Sequence, residues 1–458
     1  MTVWLHVIGV GEAGFLALPP ATRTIVKFAE NVIGPARFLG QLDFEMDEST
    51  GAPSTAIAPA DLVDKRGLEA VARALLDSDN SVAVAPQHMG VPNAEMSNHI
   101  EWEGSLDKML EQVERCRDTP TVILASGDPM WFGIGATLAK RFEPDEFEVH
   151  AHPSAFQLAA AAMRWPLQHV ATISLHGRAP ELIHPHVQPG ARILALTSDG
   201  DTAYRVADML VARGYGESML TVLESLGGGE ERISSIQAID FADIAVGDFY
   251  VLAVDCVADP DADLLPAVPG LPDEAFVSDG QLTKREVRAV TVAKLAPVPG
   301  ALLWDVGAGC GSVAIEWMRS ARDASAIAFE REGERLQMIA VNANALGVPT
   351  LRIENGEAPE SLVNMPSPDA IFLGGSVADD ELFAPCWSAL KPGGRLVANA
   401  VTLDAEAALY ARQLRYGGEL ARIETSVLDT VGDHRVLRPR MAVLQWSVTK
   451  PAQALVLR

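Results

Sequence analysis

A chain of 458 residues and 48.9 kDa, at about 100 to 200 residues per domain, excludes a single small domain, and its 48% hydrophobic residues promise a substantial core. Lys and Arg number 36 against 61 Asp and Glu, a net charge of −25, and a field of that sign opposes nucleic-acid phosphates and anionic membrane surfaces alike. No apolar stretch reaches the roughly 18 residues that span a bilayer, and four dispersed cysteines, Cys116, Cys256, Cys310 and Cys386, fit neither a disulfide framework nor a CxxC metal site, which predicts a reducing cytoplasm.

The opening run Trp4-Leu-His-Val-Ile8 has no basic region ahead of it and reads as a strand rather than a signal segment. It enters Gly9-Val-Gly11-Glu-Ala-Gly14, which matches G-x-G-x-x-G, but Pro19-Pro20 follow and no helix starts directly, so a dinucleotide-type turn is disfavoured. A strand over 121–125 empties into Ser126-Gly127-Asp128-Pro129, and another over 147–151 leads through His152-Pro-Ser154-Ala155 into a helix over 156–163. Three strands that each end in a glycine, proline or small-residue loop describe the rim of a cleft with close backbone approach to a ligand. Nine of the ten histidines lie in this half. The H-x-H pairs His150/His152 and His184/His186 lack a cysteine or ligand-spaced carboxylate, so they read as structural or surface groups and no metal site is expected.

Prolines and acids without hydrophobic periodicity then mark a linker over 257–275, which divides the chain into domains at 1–256 and 276–458. A surface loop inside one domain is the alternative. The acidity is uneven: residues 1–265 hold 17 basic and 38 acidic side chains, net −21, and 266–458 hold 19 and 23, net −4.

The second half begins with Thr283-Lys284-Arg285-Glu286, read as a capping box with Thr283 as N-cap, and Val287, Val290 and Ala293 form an apolar stripe behind it. Lys284 and Arg285 oppose the helix dipole in the first turn, and Arg288 lies on the face of Lys284. Two readings of this cluster stand: an anionic ligand, or a solvated face neutralised by Glu286. Next comes a buried-strand run over 301–306, the turn Gly307-Ala308-Gly309-Cys310-Gly311, and a helical pattern from Ser312. Strand, glycine turn and helix present backbone amides to a ligand at the strand's C-terminal end. Ser312 stands where a dinucleotide fingerprint needs its last glycine. A second strand ends in Glu330, 19 residues after Gly311, where a carboxylate can accept both ribose hydroxyls; a solvated carboxylate at a helix start is the alternative. Further strands over 351–354, 369–373 and 395–399, a helix over 405–414, and closing strands near 421–428 and 441–448 imply a mainly parallel sheet with helices on both faces.

Two resemblances emerge from these segments. Gly9-Val-Gly11, Ser126-Gly-Asp-Pro129, Ser154-Ala155 and Ser174-Leu-His-Gly-Arg178 resemble the tetrapyrrole methylase family. Residues 283–288, Asp305-Val-Gly-Ala-Gly-Cys-Gly311, Gly356-Glu-Ala-Pro359, Gly374-Gly-Ser376 and Asn399-Ala-Val-Thr402 resemble a decarboxylating class I methyltransferase that uses S-adenosylmethionine (SAM). Fused in this order they resemble the bifunctional methyltransferases of cobalamin synthesis. The resemblance implies an α/β protein with a two-lobed first domain and a seven-stranded, Rossmann-like second one, and two SAM sites per chain. It implies methylation of a polycarboxylate tetrapyrrole at C5 by the first domain, and C15 methylation with loss of the ring C acetate carboxyl by the second. A fused pair acting on another small molecule, or on a cobalt-containing precursor, is the alternative. Carried over residue by residue, Thr283, Asp305, Gly307, Ala308, Gly309, Cys310, Gly311, Glu330 and Ala358 would surround one SAM. Gly9, Gly11, Gly127, Asp128, Pro129 and Ser154 would surround the other. Ala151-His152 departs from the Pro-Gly of many tetrapyrrole methylases. Lys284, Arg285 and Arg288 would hold substrate carboxylates. No general acid for the decarboxylation is identified, and a homo-oligomer is expected.

Overall fold

The computed structural model describes residues 3–45, 97–102, 105–197, 199–375 and 377–452, so Ser376 lies outside the described residues. The chain divides into two compact units, Met1–Leu158 with Ser225–Glu231, and Ala159–Glu224 with Arg232–Arg458.

The first unit is built on five parallel strands, β1 (Leu5–Val10), β2 (Asn31–Gly34), β3 (Asn98–Glu101), β4 (Thr121–Ser126) and β5 (Phe147–His150), in the order β3-β2-β4-β1-β5. Parallel strands covered on both faces read as near-continuous apolar runs. In β1, Leu5 and Val7 enter the cluster around Ile123 and Phe142, whereas Ile8 and Val10 enter the one around Phe15 and Leu124. After Gly14 a single 3-10 turn, Phe15–Ala17, precedes the helix Pro20–Lys27, which starts with proline at its first position. The proline pair therefore delays the helix, as its sequence predicts.

The second unit contains two sheets. β6 (Ala171–Ser174), β7 (Arg192–Leu196), β8 (Met219–Glu224), β9 (Arg232–Gln237) and β10 (Tyr250–Asp255) pair in the order β6-β7-β10-β8-β9, parallel only between β6 and β7. The larger sheet has seven strands: β11 (Leu302–Val306), β12 (Ser325–Glu330), β13 (Arg352–Asn355), β14 (Ala370–Leu373), β15 (Arg395–Ala400), β16 (Glu419–Ile423) and β19 (Val443–Thr449). Their order is β13-β12-β11-β14-β15-β19-β16, with β19 antiparallel to both neighbours. This is the seven-stranded sheet that the class I resemblance implies. Between β16 and β19 the chain adds a hairpin, β17 (Ser426–Val431) with β18 (His434–Pro439), which the sequence reading did not separate from the closing strands.

Residues 256–272 carry neither helix nor strand, yet they are tied down. Leu265 and Leu271 are buried, and the Leu265 carbonyl accepts from Gln188 and Arg319 at 2.8 and 2.7 Å. The anchor at the far end is Arg288. The helix expected to start at Thr283 spans Arg285–Leu295, with Lys284 as N-cap and no side-chain cap, so the Thr283/Glu286 capping box does not form. Its buried face is Val287, Arg288, Thr291, Val292 and Leu295, while Val290 and Ala293 point outward. Arg288 is fully buried. Its Nε donates to Glu316 Oε1 at 2.6 Å, Nη1 to Asp273 Oδ1 at 3.1 Å and to the Thr283 carbonyl at 2.6 Å, and Nη2 to the Leu271 carbonyl at 2.5 Å. Glu316, itself 1% exposed, also accepts from the amides of Gly270 and Leu271. The guanidinium is spent on the fold, which removes Arg288 from the candidate substrate-binding residues.

Removing one member of such a pair strands its partner charge in a low dielectric, at about 3 to 5 kcal/mol. Arg288→Ala is therefore expected to lower the melting temperature of the full chain sharply, with Glu316→Ala doing the same. A well-folded Arg288→Ala protein that melts like its parent would contradict this role.

Candidate functional site

The C-terminal ends of β11, β12, β14 and β15 open onto a cavity of about 910 Å³. Gly307, Ala308 and Gly309 line it together with Thr283, Lys284, Glu330 and Ala358, with Phe329, Phe372 and Val313 supplying apolar surface. Arg285, exposed at the helix start, donates to the Gly270 carbonyl at 2.7 Å and does not line the cavity; neither does Arg288. Only Lys284 of the three expected cations faces it.

The turn is held from below by two carboxylates. Asp305, 1% exposed, accepts from the Ala314 amide at 3.0 Å through Oδ2, and so caps the helix Ser312–Ser320 from the preceding strand while Gly311 occupies the N-cap position. Its Oδ1 has no hydrogen-bond partner among the described residues. Burial pushes its carboxyl up to about 7, and the charge of Glu330 adds to the rise. Glu330 Oε2 accepts from the Gly309 amide at 2.8 Å, and Oε1 from the amides of Arg331 and Glu332. Gly311 has φ +81°, and a Cβ there would lie 3.0 Å from Ile339 Cγ2. Asp305, Cys310 and Gly311 are buried and do not line the cavity, so they shape the turn beneath a ligand rather than touch one.

Among the described residues four cations line the cavity: Lys284, Arg331, Arg335 and Arg440. Arg331 is paired with Glu357 at 2.7 Å and Arg335 with Asp279 at 2.7 Å. Among the described residues, Lys284 Nζ reaches only the Gly280 carbonyl, at 3.5 Å. Among the described residues, Arg440 Nη1, just after β18, has no hydrogen-bond partner and forms loose ion pairs with Asp273 at 3.6 Å and Glu286 at 3.9 Å. Arg440 is the functional candidate that the sequence reading missed, because nothing local distinguishes it from its neighbours Arg435 and Arg438 in a basic hairpin. Asn399 completes the floor, donating to Thr291 Oγ1 at 3.1 Å and accepting from Gln445 Nε2 at 2.9 Å.

In the first unit the expected residues also converge. β1 and β4 are adjacent and parallel, so their loops leave the sheet together, and the Gly127 amide donates to the Val10 carbonyl at 2.8 Å. A Cβ on Gly9 would lie 2.4 Å from the Gly127 carbonyl oxygen and 2.5 Å from His152 Cβ, an approach that only glycine permits. Gly11 faces the His152 ring in the same way. Asp128 Oδ1 accepts from the Met130 amide at 2.7 Å, Pro129 is buried, and Ser154 forms a capping box with Gln157 at the start of the helix Ala155–Met163.

Two family models match the chain: a precorrin methyltransferase domain over residues 274–450, and the tetrapyrrole (corrin/porphyrin) methylases over residues 53–237. A precorrin-6Y C(5,15)-methyltransferase (decarboxylating) of Sinorhizobium sp is 46% identical over 349 residues, covering 76% of this chain and 84% of that protein. The protein of the same name from Mycobacterium tuberculosis is 41% identical over 331 residues, 72% of this chain and 82% of its own. A probable cobalt-precorrin-6B C(15)-methyltransferase (decarboxylating) of Sulfurisphaera tokodaii is 33% identical over 141 residues, 30% of this chain and 73% of its own.

Asp305 carries a pH signature. With its folded pKa raised from 3.8 to about 7, the folded chain keeps a proton that the unfolded chain releases, so stability falls as pH rises from about 4 to about 7. Asp305→Asn keeps an acceptor for Ala314 without the charge. It is expected to gain on the parent across that window, by on the order of a few kcal/mol, in melting temperatures measured against pH; parallel profiles would contradict the assignment.

Proposed function

Because this chain belongs to the family of precorrin-6Y C5,15-methyltransferases (decarboxylating), we propose that its two glycine-loop regions divide that chemistry between them. The chain is an enzyme of cobalamin synthesis, a SAM-dependent C-methyltransferase that also decarboxylates its precorrin. Residues 1–256 are assigned C5 methylation, and 276–458 C15 methylation with loss of the ring C acetate carboxyl, with 257–275 joining them. One relative that covers 30% of this chain is named a decarboxylating C15 methyltransferase, which supports placing both of those steps in one domain.

The observation that carries the reading is the cavity where the Gly307–Gly309 turn, buried Glu330, Lys284 and the loosely paired Arg440 meet. Its residues fit SAM: the turn has no side chain beyond the Ala308 methyl, and Glu330, which accepts from three backbone amides, keeps acceptor capacity on Oε2 for a ribose hydroxyl. Bound there, SAM supplies a methyl group already activated by its sulfonium. The protein's part is alignment and exclusion of water by Phe329, Phe372 and Val313. Lys284 and Arg440 hold carboxylate arms of the macrocycle. They serve arms that do not react, since a cation bound to the departing carboxylate would stabilise it against loss as neutral CO₂. In the first unit Gly9, Gly11, Gly127 and Ser154 frame the other SAM site. Free, buried cysteines support a cytoplasmic location.

Calorimetry of SAM binding to the intact protein is expected to give two sites per chain, and Glu330→Ala one, with C5 methylation retained and CO₂ release lost. A single site in the parent would overturn the two-site reading. Arg440→Ala is expected to raise KM for the precorrin roughly tenfold in a CO₂-release assay, with SAM affinity unchanged and Arg440→Lys intermediate. An unaltered KM would remove Arg440 from the site.

A further inference from the structure

We infer that His6, Glu148 and His150 form a binding site for one divalent transition-metal ion of the zinc class. Among the described residues β5 lies at the edge of its sheet, parallel to β1, with His6 opposite Glu148 and Ile8 opposite His150. Residues two apart on a strand share a face, so the three side chains lie together. His6 Nδ1 is 3.1 Å from His150 Nε2 and 3.6 Å from Glu148 Oε2, and all three donor atoms fall within 4.8 Å of one another. A tetrahedron drawn on metal–ligand bonds of about 2.0 to 2.2 Å has edges of about 3.3 to 3.6 Å. Two edges are thus near length already, and the third closes by a small swing of Glu148, whose side chain is 57% exposed.

The donor set selects the ion. Two imidazoles and one carboxylate suit Zn²⁺, Co²⁺ or Ni²⁺ and not Mg²⁺ or Ca²⁺. Three protein ligands leave the fourth position to water. The H-x-H pair at 150 and 152 does not act as a unit: His150 turns to His6, while His152 packs on Gly9 and Gly11. An ion here would rivet the edge strand to β1 two residues before His152, and so fix the loop that crowds those glycines. Its role is structural, and it stands independently of the proposed SAM sites.

The test is calorimetric titration of untagged, chelator-treated full-length protein with Zn²⁺, repeated with Co²⁺ while following visible absorption. The expected result is one equivalent per chain with a tetrahedral-type Co²⁺ spectrum and a rise in melting temperature. All three are lost in His6→Ala and His150→Ala, and affinity is weakened roughly tenfold or more in Glu148→Gln. Glu148 is exposed, so that variant keeps the test valid if a histidine variant fails to fold. No saturable equivalent in the parent, or equal affinity in Glu148→Gln, would overturn the site and leave a hydrogen-bonded histidine pair.

Discussion

Arg288 and Glu316 meet at 2.6 Å with essentially no exposure to solvent, and two walls of the C-terminal cavity rest on the helices they join. Glu316 belongs to the helix that begins at the glycine turn, and Arg288 to the helix behind Lys284. The same pair draws in residues 270–273 through two amides and two further acceptors. Burying an ion pair is seldom a net gain over apolar packing. Its value here is positional: a planar guanidinium with four satisfied donor contacts fixes three segments distant in sequence to one point, with the ring of Phe276 4.6 Å from its carbon.

The turn itself shows how charge and backbone are matched. Asp305 and Glu330 approach Gly307–Gly311 from adjacent strands, and each is tied to backbone amides. Asp305 is sealed in and spends one oxygen on the helix start, whereas Glu330 lies at the cavity wall with both oxygens engaged by backbone amides of the turn and of the chain after β12. The two carboxylates differ in role because they differ in depth by a strand's end. Positive φ at Gly307, Gly309 and Gly311 lets the chain reverse between them without side chains entering the cavity.

What could be read from the sequence was what is local. The Gly307–Gly311 turn, the strand ending at Glu330 and the parallel strand succession follow from short patterns, and the seven-stranded sheet accommodates all of them. Arg288 was misread because hydrophobic periodicity counts only apolar side chains. The true buried face includes Arg288 and Thr291, so the stripe Val287/Val290/Ala293 was rotated away from the core. The partners that make a buried arginine tolerable, Glu316 and Asp273, come from other segments and have no signature beside it. Thr283 fails as a cap because its carbonyl is drawn to Arg288 and the helix starts one residue later. Arg440 and the trio His6, Glu148 and His150 were hidden for the same reason: the pairing of β1 with β5, and the return of the chain after β18, are long-range facts.

The excess of acid over base also changes meaning once it has coordinates. Charges in solvent farther apart than about 8 to 10 Å are largely screened at ordinary salt, so a polycarboxylate in the cavity responds to its lining and not to the chain's −25. Among the described residues that lining sets four cations, Lys284, Arg331, Arg335 and Arg440, against Glu330, Glu357 and Asp379; Arg331 and Arg335 are paired at 2.7 Å with Glu357 and Asp279, Arg440 more loosely with Asp273 at 3.6 Å, and Lys284 is the cation left for an anionic ligand. In the first unit, Arg37 donates to Ser126 Oγ at 2.8 Å and pairs with Glu12 at 3.1 Å, tying together the loops that follow β1 and β4, within residues 1–265 whose net charge is −21. Net charge therefore governs solubility and the slow approach of an anionic substrate, while a few placed cations govern whether it stays. A chain this acidic can bind a polyanion provided the excess is carried on surfaces more than a screening length from the site.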